Sequence, residues 1–447
     1  MNTGVLSTLH TPRSSFILHP SSFLYCLLVA VTCAWSAAAV PVSALAADWP
    51  AWRGPNRDGI CEETGLLKEW PPAGPKLLWQ AGGLGEGYGG PSIVGNNLYI
   101  MGARDGQEWV MALDWTRQGR PVWATPIGPV RHEGGGYPGP RSTPTIDGAR
   151  LYTLGIAGDL VALEAKSGRG IWRHDLVAEF GGQAPNWGYA ESVLIDGDKL
   201  ACTPGGLQAT VLALDKTSGR PLWASPVGDP AEYSSLVKVS IGRVIQYVTL
   251  TKNGVISVDA RDGTFLWRYD KPANGTANVP TCVWFGQTVF AASGYGAGGG
   301  LVWAKRTPSG FEPQELYFTK DMRNHHGGMV LVDGYLYGYD DGGGLTCLEY
   351  QTGQVKWQDK TPGKCSLLYA DGMLYCRSES GPVSLVEASP DGFGQRGRFD
   401  QPSRSDKNSW PHPVIANGLL FLRDQDVLLC YDVGGGAQAG GRKARRR

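Results

Sequence analysis

Neither sign of charge dominates this chain. Lysine and arginine total 41, aspartate and glutamate also total 41, and charged residues make up only 18% of the 447. A balance this even gives no charge-based case for nucleic acid or for an acidic substrate. Adjacent cysteines and Cys-x-x-Cys pairs are missing, which excludes the usual thiol redox and zinc spacings. Of the nine cysteines, Cys26 and Cys33 fall in the first 46 residues. The other seven are Cys61, Cys202, Cys282, Cys347, Cys365, Cys376 and Cys430. They are scattered and odd in number, so they cannot all pair within one chain, and they read as small buried hydrophobes. Only Cys365 and Cys376, which flank one hairpin, are placed where a bridge could form. No segment combines helical period with caps. The glycine-rich stretch from Gly294 to Gly300 lacks the Lys-Ser/Thr of a phosphate loop.

Glycine (64), proline (30), tryptophan (16) and tyrosine (18) are abundant, the mixture expected of many short strands joined by tight turns. Residues 1–46 carry no acid and one base, Arg13, followed by an apolar stretch from Phe23 to Ala39 and by Ala44-Leu45-Ala46. This order fits an export signal with a small-x-small cleavage site, the alternative being an uncleaved anchor. The stretch is interrupted by Cys, Thr and Ser, which suits it poorly to a permanent span. Removing it leaves 40 bases and 41 acids, so the remainder stays near neutral. The organisation expected is a signal peptide over 1–46, a lead-in over 47–78, a repeat domain over 79–433 and a disordered basic tail over 434–447.

Two patterns repeat and interleave. One is a tract ending in tryptophan: Ala213 to Trp223 reads ALDKTSGRPLW, and copies end at Trp123, Trp172, Trp267 and Trp357. Each is a strand, an acid, a polar turn with glycine, then a second strand, which is a hairpin with a longer loop. Upstream of each lies an apolar run, a tight glycine turn and a second apolar run. The turn glycines are Gly95, Gly148, Gly197, Gly242, Gly286, Gly334, Gly372 and Gly418, spaced on average by about 46 residues, the length of a four-stranded propeller blade. Eight such blades make an all-β propeller, with the glycine hairpins inside and the tryptophan hairpins outside. Tyr317 stands in for the missing tryptophan of the fifth copy and Phe399 for that of the seventh. The eighth copy lacks its outer strand, and Lys76-Leu77-Leu78-Trp79 at the other end of the chain can supply it, closing the ring without an exposed edge.

The Ala-x-Asp-x-x-x-Gly-x-x-x-Trp tract resembles the repeat of the pyrroloquinoline quinone (PQQ) family of propellers over about residues 79 to 433. That resemblance implies that Trp79, Trp123, Trp172, Trp223, Trp267 and Trp357 dock against neighbouring blades. The segment Asp48-Trp49-Pro50-Ala51-Trp52-Arg53-Gly54-Pro55 looks like the lead-in of exported PQQ-like repeat proteins. BamB-type outer-membrane assembly lipoproteins, which resemble it in their eight-bladed ring, imply a non-catalytic binding or scaffold protein with a protein or envelope partner. The quinoprotein dehydrogenases of the same family imply instead PQQ with calcium. They carry an adjacent-cysteine disulfide that this sequence lacks, and their aspartate and calcium ligands cannot be mapped onto it. No cofactor is therefore expected. The chain is expected to be a monomer, exported to the periplasm or beyond, with no nucleic-acid partner and no permanent membrane span.

Loops leading into each innermost strand crowd one mouth of a propeller channel. Alignment on the hairpin glycines puts Tyr88, Arg141, Trp187, Glu191, Tyr233, Asn278, His325, His326, Lys364, Trp410 and His412 in those loops. Aromatic, basic, acidic and imidazole groups together suit a small polar ligand such as a sugar. A metal shared by His325, His326, His412 and Glu191 is a sharper alternative, but polar groups gather at a channel mouth simply because water is there. No metal is expected.

Overall fold

The tight glycine turns do what their composition demands. Asn417 and Gly418 both adopt positive φ, 60° and 70°, the left-handed pair that a two-residue hairpin requires. Turns that each hold a positive-φ glycine join the two inner strands of eight antiparallel sheets in a computed structural model, which describes residues 48–130, 137 and 139–435. The innermost strands are Ser92–Val94, Thr145–Asp147, Leu194–Asp196, Val237–Ile241, Val283–Phe285, Met329–Val332, Cys365–Ala370 and Val414–Ala416. From each, three further strands follow outward in order, giving blades one to eight. The signal-like segment 1–46, the tract 131–136 with residue 138, and residues 436–447 lie outside the described residues. Among the described residues no helix is long and apolar enough to cross a membrane. One short helix absent from the sequence reading, Leu176–Phe180, is capped by the Asp175 carboxylate.

The ring closes as the repeat count requires. Lys76–Ala81 pairs antiparallel with Val427–Asp432, placing Trp79 opposite Cys430. Each outer strand carries a β-bulge at one fixed place: the residue before the tryptophan position has no ladder partner. A bulge bends the strand and re-aims the next side chain. The skipped residues include Leu78, Val122, Ile171, Leu222 and Leu316, which account for many of the exposed large hydrophobics. The re-aimed rings dock on the next blade. The indole N–H groups of Trp123, Trp172 and Trp357 donate to the carbonyls of Ala165, Lys216 and Ser389 (3.1, 3.0 and 2.7 Å). Gly119 and Gly263 make room for the rings of Trp79 and Trp223. Trp267 is the exception: it is buried against blade five but donates to Gln246 of its own blade (2.8 Å).

Tyr317 fills the tryptophan place in blade five, its hydroxyl donating to the Tyr350 carbonyl (2.9 Å). Phe399 does not do so in blade seven. The register position there belongs to Gly397, opposite Leu385, and the place where its side chain would stand is taken by Trp70 from the lead-in, 2.6 Å from an ideal Cβ. Trp70 packs on Tyr375 as the other tryptophans pack on their own blade's second strand. Phe399, two residues on, lies between Trp70 and Tyr431.

The lead-in also does something its sequence does not announce: residues 49–61 run through the central channel. Trp49 exchanges backbone hydrogen bonds with Ile93 (2.7 and 2.8 Å), and Pro50 accepts from Ile146 (2.8 Å). Arg57 donates to the carbonyls of Val193 and Ser192 (2.9 and 2.6 Å), Trp52 donates to Thr281 (3.1 Å), and Arg53 donates to Met329. Ile60–Cys61 then joins blade seven as a fifth, parallel strand on Cys365–Ala370. Inner strands of blades one, two, six and seven, with Ser192, Val193 and Thr281 on the approaches to the third and fifth, are thus tied to one segment. Gly434 and Gly435, at the start of the segment read as a tail, pair with Leu66 and Gly65. Cys365 and Cys376 are buried free thiols; the hairpin register sets Cys365 opposite Ser378 and Cys376 opposite Leu367, which makes them diagonal neighbours in contact rather than a bridged pair.

Two glycine substitutions separate docking from turn geometry. Gly219 has φ +77° and a Cβ there would stand 2.9 Å from the Trp172 ring, whereas Gly197, at φ +60°, faces open space. Gly197→Ala is expected to cost about 1 kcal/mol for the left-handed backbone. Gly219→Ala adds about 1–3 kcal/mol of overpacking. Denaturant unfolding measures both; equal losses would mean that the tryptophan dock contributes nothing.

Candidate functional site

The channel is a blind funnel. The plugging segment closes it with Trp52 and Arg53 as floor, and above them lies a cavity of about 390 Å³. Its wall is built from loops that precede the innermost strands: Tyr88, Arg141, Trp187, Tyr233, His325, His326, Lys364, Trp410 and His412 all line it. Eight blades each supply a loop to one mouth, which is why residues so distant in sequence converge.

Two of the residues read as loop candidates do not reach the cavity. Glu191 is 1% exposed and accepts from the backbone N–H groups of Thr203 (2.6 Å) and Leu236 (3.3 Å). Burial raises its carboxyl to about 7, against the pull of those donors and of Arg57. It ties blade three to blade four beneath the wall. Asn278 is likewise buried, its N–H donating to Glu232 (2.8 Å) and its side-chain oxygen accepting from Asn274 (2.8 Å). The four-ligand metal set is therefore not brought together, and among the described residues no three His, Cys, Asp or Glu side chains are grouped to hold an ion.

The lining residues that went unread include six with aromatic, charged or amide side chains. Tyr295 and Glu379 come from loops joining the second and third strands of blades five and seven, which open on the same mouth as the loops that were considered. Tyr137 and Asn408 lie earlier in the inter-blade loops than the positions aligned on the hairpins. Trp52 and Arg53 come from the plug.

Aromatic faces dominate the cavity. Trp410 lies 5.0 Å from Tyr88 and 4.9 Å from Tyr137, ring centre to ring centre, and Trp187 lies 5.9 Å from Tyr233. The polar groups are chained together. Trp410 Nε1 and His326 Nε2 both lie 3.1 Å from the Glu379 carboxylate. Lys364 bridges His325 (2.6 Å) and Asp341 (2.8 Å). Arg141 lies over the Tyr88 ring and donates to the Tyr137 carbonyl (2.5 Å).

Burial alone would raise Glu379, but His326, the Trp410 N–H and Lys364 outweigh it and hold the carboxyl at about 2. A carboxylate held so low is a weak base near neutral pH. Burial, His326 and Lys364 lower His325 to about 4; burial and Arg53 lower His412 to about 3. Both imidazoles are neutral at pH 7, able to donate and accept one hydrogen bond each. The wall can orient and grip a ligand, and it offers little for proton abstraction.

The donor set does not fit calcium-assisted quinone chemistry. Calcium takes six to eight oxygen ligands, whereas Glu379 is the single carboxylate among the described lining residues and already accepts from Trp410 and the His326 ring. No cysteine is among the described lining residues.

Comparison with known proteins places the chain among propellers of two kinds. The sequence model of a family described as outer membrane protein assembly factor BamB matches residues 106–359 and 296–392. Outer membrane protein assembly factor BamB of Yersinia pestis is 24% identical over 324 residues, covering 69% of this chain and 77% of that protein. Quinoprotein alcohol dehydrogenase PedH of Pseudomonas putida is 25% identical over 182 residues, 39% of this chain and 29% of that one. Among solved structures, BamB from Moraxella catarrhalis superposes with a TM-score of 0.56 at 13% identity, covering 80% of this chain and 97% of that one. Quinohemoprotein alcohol dehydrogenase from Comamonas testosteroni superposes with a TM-score of 0.61 at 12% identity, covering 88% and 81%. At such identities the structures share the fold.

The depressed imidazoles set a pH dependence. Below about 6.5 an unfolded histidine takes up a proton that folded His412 refuses until about 3, so its contribution to stability is lost as pH falls through that window. Buried Glu191 acts with the opposite sign between about 4.5 and 7. Comparing His412→Gln with the parent isolates the histidine: the fall in melting temperature from pH 6.5 to 4 should become shallower in the variant. Parallel curves would mean that folded His412 titrates normally.

Proposed function

The chain belongs to the PQQ-like β-propeller family described by the BamB model, and from that membership we propose that it is a non-catalytic binding protein of the bacterial cell envelope. The observation that carries this reading is the blind funnel: an aromatic wall, convergent polar groups and a floor formed by the chain's own lead-in. Pockets of this make-up hold small polar ligands by stacking and directed hydrogen bonds. Envelope location is supported by the relatives named as outer membrane assembly factors and by the signal-like character of residues 1–46. The dehydrogenase alternative draws its support from the propeller relatives, but among the described lining residues there is neither a calcium donor set nor a carboxylate basic enough to abstract a proton.

A scaffold reading has its own observation. At the opposite mouth Trp284 and Phe285 are 40% and 61% exposed, beside a depression of about 740 Å³ that also holds Arg57, Asp58 and Lys238. Adjacent exposed aromatics rimmed by charge are the features of a protein-docking surface. A partner held there leaves the funnel free, so the two readings are compatible.

Thermal-shift screening of the full chain against saccharides, aromatic acids and short peptides tests the binding role, because a ligand selective for the folded state raises its melting temperature. At least one class should raise it by several degrees, with Trp410→Ala abolishing the shift. A panel without any hit, confirmed by absence of heat in calorimetry, would overturn the binding role.

A further inference from the structure

Charge in the funnel is unbalanced. Among the described lining residues, Arg53, Arg141 and Lys364 stand against the single carboxylate of Glu379. Lys364 is matched by Asp341. Arg141 is not: its Nη1 and Nη2 donate to the carbonyls of Gly139 (3.3 Å) and Tyr137 (2.5 Å), and among the described residues no carboxylate pairs with it. Arg53 on the floor is 4% exposed, donates through Nη2 to the carbonyls of Asp58 and Met329, and has a buried Nη1 with no acceptor. That nitrogen lies under Gly328, where a Cβ would collide with it; the missing side chain leaves the guanidinium facing a lining residue of the cavity. Buried cations are normally paired with anions. A guanidinium hydrogen-bonded to carbonyls alone, with the Asp58 carboxylate near but not bonded to it and a donor left over, is suited to a carboxylate.

The rest of the wall describes what carries that carboxylate. Trp410, Tyr88 and Tyr137 offer clustered ring faces, with Trp187 and Tyr233 as a second pair. Between them are both donors and acceptors, including Asn408, Ser235, Thr281 and Glu379, more than a flat aromatic acid would use. A sugar ring presents C–H faces to aromatic planes and hydroxyls that both donate and accept. The volume, about 390 Å³, is at the small end of ligand pockets and admits a mono- or disaccharide.

We propose that the funnel is a binding site for an acidic saccharide, its carboxylate taken by Arg141 and Arg53 and its ring stacked on the Trp410–Tyr88–Tyr137 cluster. The assignment rests on the funnel being a binding site and adds the ligand class.

Calorimetry of the full chain with digalacturonate, with the neutral galactose disaccharide, and with phenylacetate separates the two claims. Digalacturonate should bind at least tenfold more tightly than the neutral disaccharide, and the difference should shrink as salt is raised. Arg141→Gln should abolish the preference, so that acidic and neutral disaccharides bind with equal affinity, and Arg141→Lys should restore part of it. A melting temperature close to the parent's shows that a variant without the preference is still folded. Equal affinity for acidic and neutral disaccharides would overturn the charge assignment and leave the funnel reading standing. Binding of phenylacetate alone would overturn the saccharide while sparing the funnel. Binding of none of the three would overturn the assignment, and the wider ligand screen then decides the fate of the funnel itself.

Discussion

Everything in this propeller depends on one constraint: a ring of sheets has to be closed, and the chain closes it with its own N-terminal stretch. Between Trp49 and Ala81 the lead-in binds inner strands at the axis, fills the vacant tryptophan place of blade seven, and completes the outer edge of blade eight. A propeller sealed only at its rim keeps an open channel. This one is sealed at the axis as well, and the seal converts a channel into a pocket with a floor. Fold and site therefore share a cause: the polar groups that Trp52 and Arg53 spend on Thr281 and Met329 are the ones that bound the cavity.

The second tier of order is the bulge ahead of each docking ring. Leaving Val122, Ile171 or Leu222 out of the ladder exposes an apolar side chain, which costs a fraction of the burial it could have had. The same kink turns the next ring onto the neighbouring blade, where it is buried and, for several copies, hydrogen-bonded. Repeated around a closed ring, these nearest-neighbour contacts reinforce one another as they do in other repeat architectures.

Much of this was legible in the sequence because the repeat writes each blade twice, once as a glycine turn and once as a tryptophan tract. Blade number, strand order and the pairing of Trp79 with the last blade follow from counting and from the need to cover an edge. What could not be read has physical reasons. Trp70 occupies a place defined by Gly397, and no local pattern links two residues so far apart. The plug has neither period nor regular strand length, so Trp52 and Arg53 gave no sign of lying at the axis. Glu191 satisfies every sequence criterion for a channel-mouth residue, yet two backbone donors and Arg57 draw it into the wall. Tyr295 and Glu379 were within reach of the same reasoning, since second-to-third-strand loops open on that mouth too.

Hydrogen exchange of the backbone amides in residues 49–61, followed by mass spectrometry on the full chain, tests the sealed-axis account most directly. If the segment is anchored to Ile93, Ile146 and the Cys365–Ala370 strand as described, its bonded amides exchange as slowly as those of the inner strands and are released only with them. Exchange at the rate of an unstructured peptide while the blades stay protected would show an open channel without a floor, and would contradict the account.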